Sequence, residues 1–292
     1  MHPGEFVQEL VERLSKVRGV RAIVLGGSWA AGMQEADSDI DLGLYYNEDA
    51  PLDIEHIRRI ARELNDDPTV YITGLGEWGR WVNGGAWLTI GGQRVDFLYK
   101  NLDFMAGIVD DCYRGKIELD YYQQPPYGYY SYVYCAEIQE SLVLYDPAGA
   151  FRALQAKVSN YPQALKKTII NTFTWDAQFT LANAKKSAKR GDVYVVAGCI
   201  TRIASDLVQT LYALNGTFFL SHKRMYRDVE RFEVKPERFV ERVESLLGHV
   251  GSERKELIEG LAVIEAVVEE VVVLCGGLFT PRFKMATDIN AN

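Results

Sequence analysis

The hydrophobic periodicity of this chain changes once, near Asp146-Pro147, and that change most constrains the fold. Before it, short apolar runs such as Val20–Leu25 and Ile40–Tyr46 alternate with stretches of helical periodicity. After it, apolar residues recur at helical spacing almost throughout. Alternating elements predict a mixed sheet with helices, and continuous helical spacing predicts a bundle. We therefore predict an α+β protein with an N-terminal mixed-sheet domain over residues 1–148 and a C-terminal helical bundle over residues 149–292.

Composition and charge argue against several classes of protein. The chain has 292 residues, of which 48% are hydrophobic and 25% are charged, as expected for a folded protein rather than a disordered one. Its formal net charge is -8, whereas proteins that bind nucleic acid usually present a basic face. We expect no nucleic-acid partner. The cysteines and histidines are scattered, which argues against a zinc cluster.

The sequence also predicts where the protein works. Four glutamates interrupt the most apolar stretch, Leu257–Phe279, so we expect no membrane span. The first residues lack the basic region followed by an apolar region that marks a signal peptide. With widely spaced cysteines, these features favour a reducing, cytoplasmic setting. We expect a monomer or a homodimer.

One segment of the first half joins a glycine-serine turn to a pair of acids. The apolar run ending at Leu25 leads into Gly26-Gly27-Ser28, and a helix-sized gap precedes Asp39-Ile40-Asp41. Side chains at positions i and i+2 of a strand lie on one face, so Asp39 and Asp41 project together. Adjacent carboxylates repel each other, and a divalent cation relieves that repulsion, with magnesium suited to oxygen ligands. The turn offers amides and a hydroxyl that suit phosphate oxygens, so the segment predicts a site for a metal-bound nucleoside triphosphate.

A third acid is expected on a neighbouring strand. Further strand-like runs occur at Val70–Thr73, Ala86–Ile90 and Arg94–Tyr99. Asp96 stands among apolar residues in the last of these runs, and we predict that it completes the acidic site. The alternative is a structural role, with Asp96 either paired to Arg94 or placed at an edge of the sheet.

The glycine-serine turn and the acids together resemble a known signature. Gly27-Ser28, Gly32 and Asp39-x-Asp41 match the pattern of the polymerase-beta-like nucleotidyltransferase superfamily. The stretches Trp78–Leu88 and Gly198–Arg202 are similar to those of its bacterial branch with a helical C-terminal domain, which includes the aminoglycoside nucleotidyltransferases. The resemblance therefore implies an N-terminal catalytic domain followed by a helical bundle.

The resemblance also implies a mechanism. Asp39 and Asp41 would ligate one or two Mg²⁺ ions, and Asp96 would complete the second metal site, accept the proton of the attacking hydroxyl, or both. A nucleoside monophosphate, AMP from ATP or the corresponding group of another nucleoside triphosphate, would pass to a hydroxyl of a small molecule with release of pyrophosphate. An aminoglycoside-like antibiotic is a candidate acceptor, because a cationic sugar is attracted to an acidic cleft.

Nucleotide binding is expected from both halves of the chain. By resemblance, the predicted nucleotide-binding residues are Gly27, Ser28, Ser38, Arg202 and Lys223. Trp29 departs from the pattern, since many relatives carry an arginine there. Two alternatives remain open: transfer to a protein or RNA acceptor, and a nucleotide-binding sensor without turnover.

Overall fold

The computed structural model describes residues 3–30, 32 and 38–281. The chain contacts cluster into two compact units. The first unit comprises Met1–Asp111, Glu118–Gln123 and Tyr129–Asn160. The second comprises Cys112–Ile117, Gln124–Gly128 and Tyr161–Asn292.

The first unit carries the strands and the shorter helices. Its helices are α1 (Pro3–Leu14), α2 (Gly27–Ala30), α3 (Ile54–Leu64), α4 (Leu102–Tyr113, which runs into the second unit), α5 (Val133–Glu140) and α6 (Ala150–Lys157). Its strands are β1 (Ala22–Leu25), β2 (Ile40–Tyr46), β3 (Gly84–Ile90), β4 (Gln93–Asn101), β5 (Leu119–Asp120), β6 (Tyr129–Tyr130) and β7 (Leu142–Tyr145).

Five of these strands form a mixed sheet in the order β3-β4-β2-β1-β7. Strands β2 and β4 are parallel, whereas the β1–β2, β1–β7 and β3–β4 pairs are antiparallel. The remaining two strands, β5 and β6, form a short antiparallel pair. A mixed sheet at the N-terminal end of the chain confirms the predicted α+β class.

The two faces of the sheet differ in polarity because side chains alternate along each strand. On one face, Ile40 and Leu42 of β2 lie beside Val95 and Phe97 of β4, all fully or almost fully buried in the core. Apolar residues of α1 and α3, such as Leu10, belong to the same core cluster. The intervening positions of β2 and β4 project from the opposite face, where the acids lie.

One predicted strand is not formed. Residues Val70–Thr73 pair with β3 through an isolated bridge between Ile72 and Ala86 and a backbone hydrogen bond from Thr73 to Gly85. The Thr73 hydroxyl accepts a hydrogen bond from the Gly85 amide at 2.7 Å and donates one to the Gly85 carbonyl. The side chain therefore satisfies groups that a continuous strand would have paired, and Gly74 follows directly.

The second unit is helical, as predicted for the C-terminal half. Its helices are α7 (Gln163–Ala188), α8 (Val193–Leu214), α9 (Met225–Arg231), α10 (Phe239–Gly248), α11 (Arg254–Cys275) and a final 3₁₀ turn (Gly276–Leu278). Helix α8 is buried almost all round from Ile203 to Leu214, which makes it the central helix of this unit. Nowhere in the described ranges is a helix both long enough and apolar enough to cross a membrane.

Helix α6 belongs to the sheet unit, although the sequence places residues from 149 onward in the bundle. The Phe151 ring packs edge-on against Tyr45 with centroids 4.7 Å apart. The Gln155 amide donates hydrogen bonds to the carbonyls of Ile138 and Ser141, at 3.0 and 2.8 Å. These contacts hold α6 on the first unit, so the last boundary between the compact units falls after Asn160.

Candidate active site

Asp41 and Asp96 lie side by side on the open face of the sheet. Strands β2 and β4 pair in parallel with Asp41 opposite Asp96. Residues in register on neighbouring strands point to the same face, and the strands are about 4.8 Å apart. Both acids are partly buried. The structure therefore brings these two predicted acids together.

The environment of Asp96 favours its neutral form. Burial is the largest cause, the charge of Asp41 is the next, and Asp39 adds to them, while Arg94 acts in the opposite direction. Together these effects raise the pKa of Asp96 to about 6. A carboxylate with a pKa in this range is ionised at neutral pH and still basic enough to accept a proton during a reaction.

Asp39 lies immediately before β2, and its carboxylate contacts the guanidinium of Arg94. Its Oδ1 atom is 2.6 Å from Nε of Arg94, with the Asp39 side chain 38% exposed. Among the described residues this oxygen accepts no hydrogen bond, so the contact is an ion pair in which the N–H group does not point at the oxygen. Arg94 thus forms an ion pair with Asp39, whereas the structural role considered from the sequence paired it with Asp96.

The glycine turn packs directly against Asp41. Helix α2 begins at Gly27, which has a φ of 62°, and a Cβ there would overlap Oδ2 of Asp41 and lie 3.1 Å from Cγ. The amide of Gly26 donates to the Asp41 carbonyl at 2.9 Å. Gly27 is therefore required both by its backbone conformation and by the space that the carboxylate occupies. The Ser28 side chain lies outside the part of the chain that the structure describes.

Trp29 has a structural role at this turn. Its indole Nε1 donates to the Ser38 carbonyl at 3.3 Å, and the Gln93 amide donates to the same carbonyl at 3.0 Å. These bonds fix the backbone just before Asp39. Both hydrogen bonds are accepted by the backbone carbonyl of Ser38. The contact between the Ser38 hydroxyl and a nucleotide stays a prediction.

The three acids suit a hard divalent cation in their chemistry. Carboxylate oxygens are the ligands that Mg²⁺ prefers, and Asp39 offers a buried oxygen without a hydrogen-bond donor. Across the residues described, however, no three His, Cys, Asp or Glu side chains are grouped closely enough to hold an ion as they stand. The residues fit the metal provided that Asp39 exchanges its ion pair with Arg94 for it. Their assignment as metal ligands stays a prediction.

The predicted cations of the helical half lie in the second unit. Arg202 on α8 forms an ion pair with Asp176 on α7, with Nη2 and Nε at 2.6 and 2.8 Å from Oδ2. Lys223 is exposed in the turn before α9. Contact of either residue with a triphosphate stays a prediction, and in the structure Arg202 is held by Asp176.

Sequence reasoning did not find a buried acid next to this pair. Asp206 on α8 is only 5% exposed, and it lies beside Asp176, to which its carboxyl can donate a hydrogen bond when it is protonated. Burial, followed by the charge of Asp176, raises the pKa of Asp206 to about 9, although Arg202 acts against this. The signal in the sequence is one acid in the part of α8 from Ile203 to Leu214, where the other residues are uncharged.

A second missed pair lies on the same strand face as Asp96. Lys100 Nζ is 2.7 Å from Glu137 Oε2, with the lysine side chain 11% exposed. Burial lowers the pKa of Lys100, but the charge of Glu137, with smaller effects of nearby tyrosines and of the hydrogen bond to Glu137, outweighs it and raises the pKa overall. The lysine therefore stays charged and paired inside the first unit.

A surface cleft of about 670 Å³ lies at the other end of β2. Its lining residues are Arg21, Asn47, Glu48, Asp49 and Asp103. Asn47 directly follows the last residue of β2, whereas Asp41 is the second residue of that strand. The cleft is therefore separate from the acids.

Comparison with known families relates the N-terminal part of the chain, which carries these acids, to nucleotidyltransferases. Residues 8–73 match the family described as polymerase beta, nucleotidyltransferase. This match includes the glycine-serine turn, Asp39 and Asp41, and it ends before Asp96. The N-terminal part of the chain thus carries a polymerase-beta-type nucleotidyltransferase domain, which confirms the resemblance seen in the sequence. Residues 132–224 match a domain of unknown function, DUF4037.

Other comparisons give less detail. A crystal structure described as a nucleotidyltransferase-like protein from Exiguobacterium sibiricum is similar with a TM-score of 0.47 and 9% sequence identity. That similarity covers 93% of this chain and 78% of the other. A search of the curated proteins gives no match.

Proposed function

We propose that the protein is a magnesium-dependent nucleotidyltransferase that moves AMP from ATP onto a hydroxyl of a small molecule. The observation that carries the proposal is the pairing of Asp41 with Asp96 on adjacent parallel strands. The glycine turn packed on Asp41 supports it, because phosphate oxygens can approach a backbone that bears no side chain. The family match over residues 8–73 supports nucleotidyl transfer in general.

The acids take distinct roles in this proposal. Asp39, Asp41 and Asp96 would hold Mg²⁺, which when bound neutralises phosphate oxygens and makes the α-phosphorus more electrophilic. Asp41 is fixed by the turn at Gly27, so it orients the donor. Asp39 would hold the cation in place of its contact with Arg94, and the guanidinium beside it would then bind a phosphate oxygen.

Asp96 would serve as the proton acceptor. The acceptor hydroxyl oxygen attacks the α-phosphorus, and its proton passes to the Asp96 carboxylate. The bond between the α-phosphorus and the bridging oxygen breaks, and pyrophosphate leaves with that electron pair. Even in the metal-free protein, in which its pKa is about 6, Asp96 is ionised at neutral pH and can therefore accept a proton.

A small, cationic acceptor agrees with the charge of the chain. The net charge is -8, and the open face of the sheet presents Asp41 and Asp96. Both features attract a positively charged molecule and disfavour a polyanion such as RNA. An aminoglycoside-like antibiotic is therefore our first candidate, since it combines amines with several hydroxyls.

Incubation with α-labelled ATP and Mg²⁺, together with a panel of aminoglycosides and other hydroxylated small molecules, tests the proposal. We expect labelled product and pyrophosphate in equal amounts with at least one acceptor, and neither with Asp41→Asn. Label transferred only to protein or tRNA would overturn the small-molecule assignment. Absence of both metal-dependent nucleotide binding and transfer would overturn the enzymatic one.

A further inference from the structure

Trp87 lies next to Asp96 on the open face of the sheet. Strands β3 and β4 are antiparallel, with Trp87 opposite Asp96. Asp96 is in turn opposite Asp41 on the other side of β4. Since residues in register share a face, Trp87, Asp96 and Asp41 form a row across three adjacent strands.

Trp87 is exposed and supported from one side. It is 66% exposed, which is unusual for the largest apolar side chain. The Trp78 ring stacks on it with centroids 4.6 Å apart and an angle of 20° between the planes. Trp78 therefore covers one face of the Trp87 indole, and the rest of the Trp87 ring is accessible to a ligand.

The backbone around this pair fixes the stack. Gly85 shares a face with Trp87, and a Cβ at Gly85 would overlap the carbonyl oxygen of Phe97 and lie 3.0 Å from Cζ3 of Trp78, so glycine leaves room for both. The Trp78 amide donates to the Asn83 carbonyl at 2.9 Å. The Asn83 side chain accepts from the Gly76 amide at 2.8 Å and donates to the Tyr46 hydroxyl at 3.0 Å. A side-chain stack anchored in this way is pre-organised.

The position of Trp87 indicates which substrate it contacts. The sheet order places β3 on one side of β4, and β2 and β1 on the other. The glycine turn follows β1 and packs on Asp41, so it lies on the side of Asp96 opposite to Trp87. In an in-line displacement, the attacking and leaving oxygens are on opposite sides of the phosphorus. With the triphosphate at the glycine turn, the attacking hydroxyl comes from the side of Trp87.

We propose that Trp87, stacked on Trp78, is the acceptor subsite and binds a polyhydroxylated ring, a sugar, through one face of that ring. This proposal rests on the proposed nucleotidyl transfer and specifies its acceptor. A sugar ring presents C–H groups on its faces and hydroxyls at its edge. The indole covers the apolar face, and the Asp96 carboxylate accepts a hydrogen bond from an edge hydroxyl.

Saturation-transfer NMR tests this subsite without turnover. The probes are methyl α-glucopyranoside, an uncharged ring, and sorbitol, a linear polyol, each added to the protein with Mg²⁺ and a non-hydrolysable ATP analogue. We expect saturation transfer to the ring C–H protons of the glucoside and at least several-fold less to sorbitol. Trp87→Ala should abolish the transfer, and Trp87→Phe should restore part of it, because the phenyl ring keeps an apolar face.

Two controls separate the possible failures. Leu142→Ala removes a half-exposed apolar side chain from β7, the opposite edge strand, and should leave the transfer unchanged. Binding of the ATP analogue by Trp87→Ala should equal that of the unaltered protein, so that loss of sugar binding is not loss of the donor site. Equal transfer to both probes, no transfer to the glucoside, or transfer that survives Trp87→Ala would overturn the subsite while leaving the proposed nucleotidyl transfer intact.

Discussion

Gly27 lies so close to the Asp41 carboxylate that any side chain at position 27 would overlap it. We expect Gly27→Ala to displace Asp41 and to weaken Mg²⁺-dependent ATP binding by at least about tenfold, because the displaced group is charged and oriented. The left-handed backbone should also cost about 1–2 kcal/mol of stability. Isothermal titration and chemical denaturation measure the two effects.

The control for this substitution is Gly91→Ala. Gly91 has a φ of 57°, similar to that of Gly27, but nothing lies within 4 Å of a Cβ built there. Its substitution should reduce stability by a similar amount and leave ATP binding unchanged. Equal losses of ATP binding in both variants would contradict a specific contact between Gly27 and Asp41.

Asp96 should make the stability of the metal-free protein depend on pH. Its pKa is raised from 3.8 to about 6 in the folded state, so the folded protein binds the proton more tightly than the unfolded chain does. Protonated Asp96 therefore contributes its full stabilisation of the folded state below pH 4, and this stabilisation is lost as the pH rises through about 6. Allowing for partial exposure, we expect a loss on the order of 1 kcal/mol.

Denaturation in the presence of a chelator, at several values of pH, measures this effect. Asp96→Asn carries no titrating group and should lack the decline between pH 4 and 6. Asp49→Asn, an exposed acid at the other end of β2, should keep it. Identical pH profiles for the unaltered protein and Asp96→Asn would contradict the raised pKa.

Arg94 should compete with a divalent cation for Asp39. Its Nε atom is 2.6 Å from Asp39 Oδ1, and the guanidinium is largely exposed. Arg94→Gln removes the positive charge and should tighten the binding of Mn²⁺, which serves as a probe for Mg²⁺, by about fivefold. This factor corresponds to roughly 1 kcal/mol, the free energy expected for an exposed ion pair. Arg13→Gln, on α1 and paired with Glu63, is the control and should have no effect. Weaker Mn²⁺ binding in Arg94→Gln would show that the pair does not hold Asp39 back from the metal.

Asp206 should behave as a neutral group at pH 7. Its pKa is raised to about 9, mainly by burial, so its contribution to stability is present at low pH and is lost progressively as the pH rises from 4 to 9. An asparagine amide can donate to Asp176 as the protonated carboxyl does. We expect Asp206→Asn to be at least as stable as the unaltered protein at pH 7, and more stable at pH 9, by thermal unfolding.

Asp176, the acid beside Asp206, should respond differently to the same substitution. Asp176→Asn removes the carboxylate that holds Arg202 on the second unit, and it should lower the unfolding temperature. Destabilisation of Asp206→Asn by more than about 1 kcal/mol at pH 7 would show that Asp206 is ionised in the folded protein.

The parts of the site that follow a local period could be predicted from the sequence. Alternation in Ile40–Tyr46 placed Asp41 opposite the core, and the apolar neighbours of Asp96 placed it on a strand in the same way. The helical half followed from its periodicity. These features depend on a residue and its close neighbours in the chain.

Contacts between separate strands were harder to predict. The ion pair of Arg94 with Asp39 depends on β4 lying beside β2, which periodicity does not specify. The pairing of Trp87 with Asp96, in contrast, could have been predicted from the sequence. The Gly91-Gly92 turn between Ile90 and Gln93 sets the register of the β3–β4 hairpin. Counting outward from that turn pairs Trp87 with Asp96.

The most direct test of whether the paired acids hold a metal-bound triphosphate is a measurement of ATP affinity. It compares the unaltered protein with three single variants, each in Mg²⁺ and again in a chelator. We expect the unaltered protein and Asp49→Asn to bind ATP only with Mg²⁺, and Asp41→Asn and Asp96→Asn to lose at least about a hundredfold in affinity. Binding that persists in the chelator, or that is equal in all four proteins, would contradict the assignment.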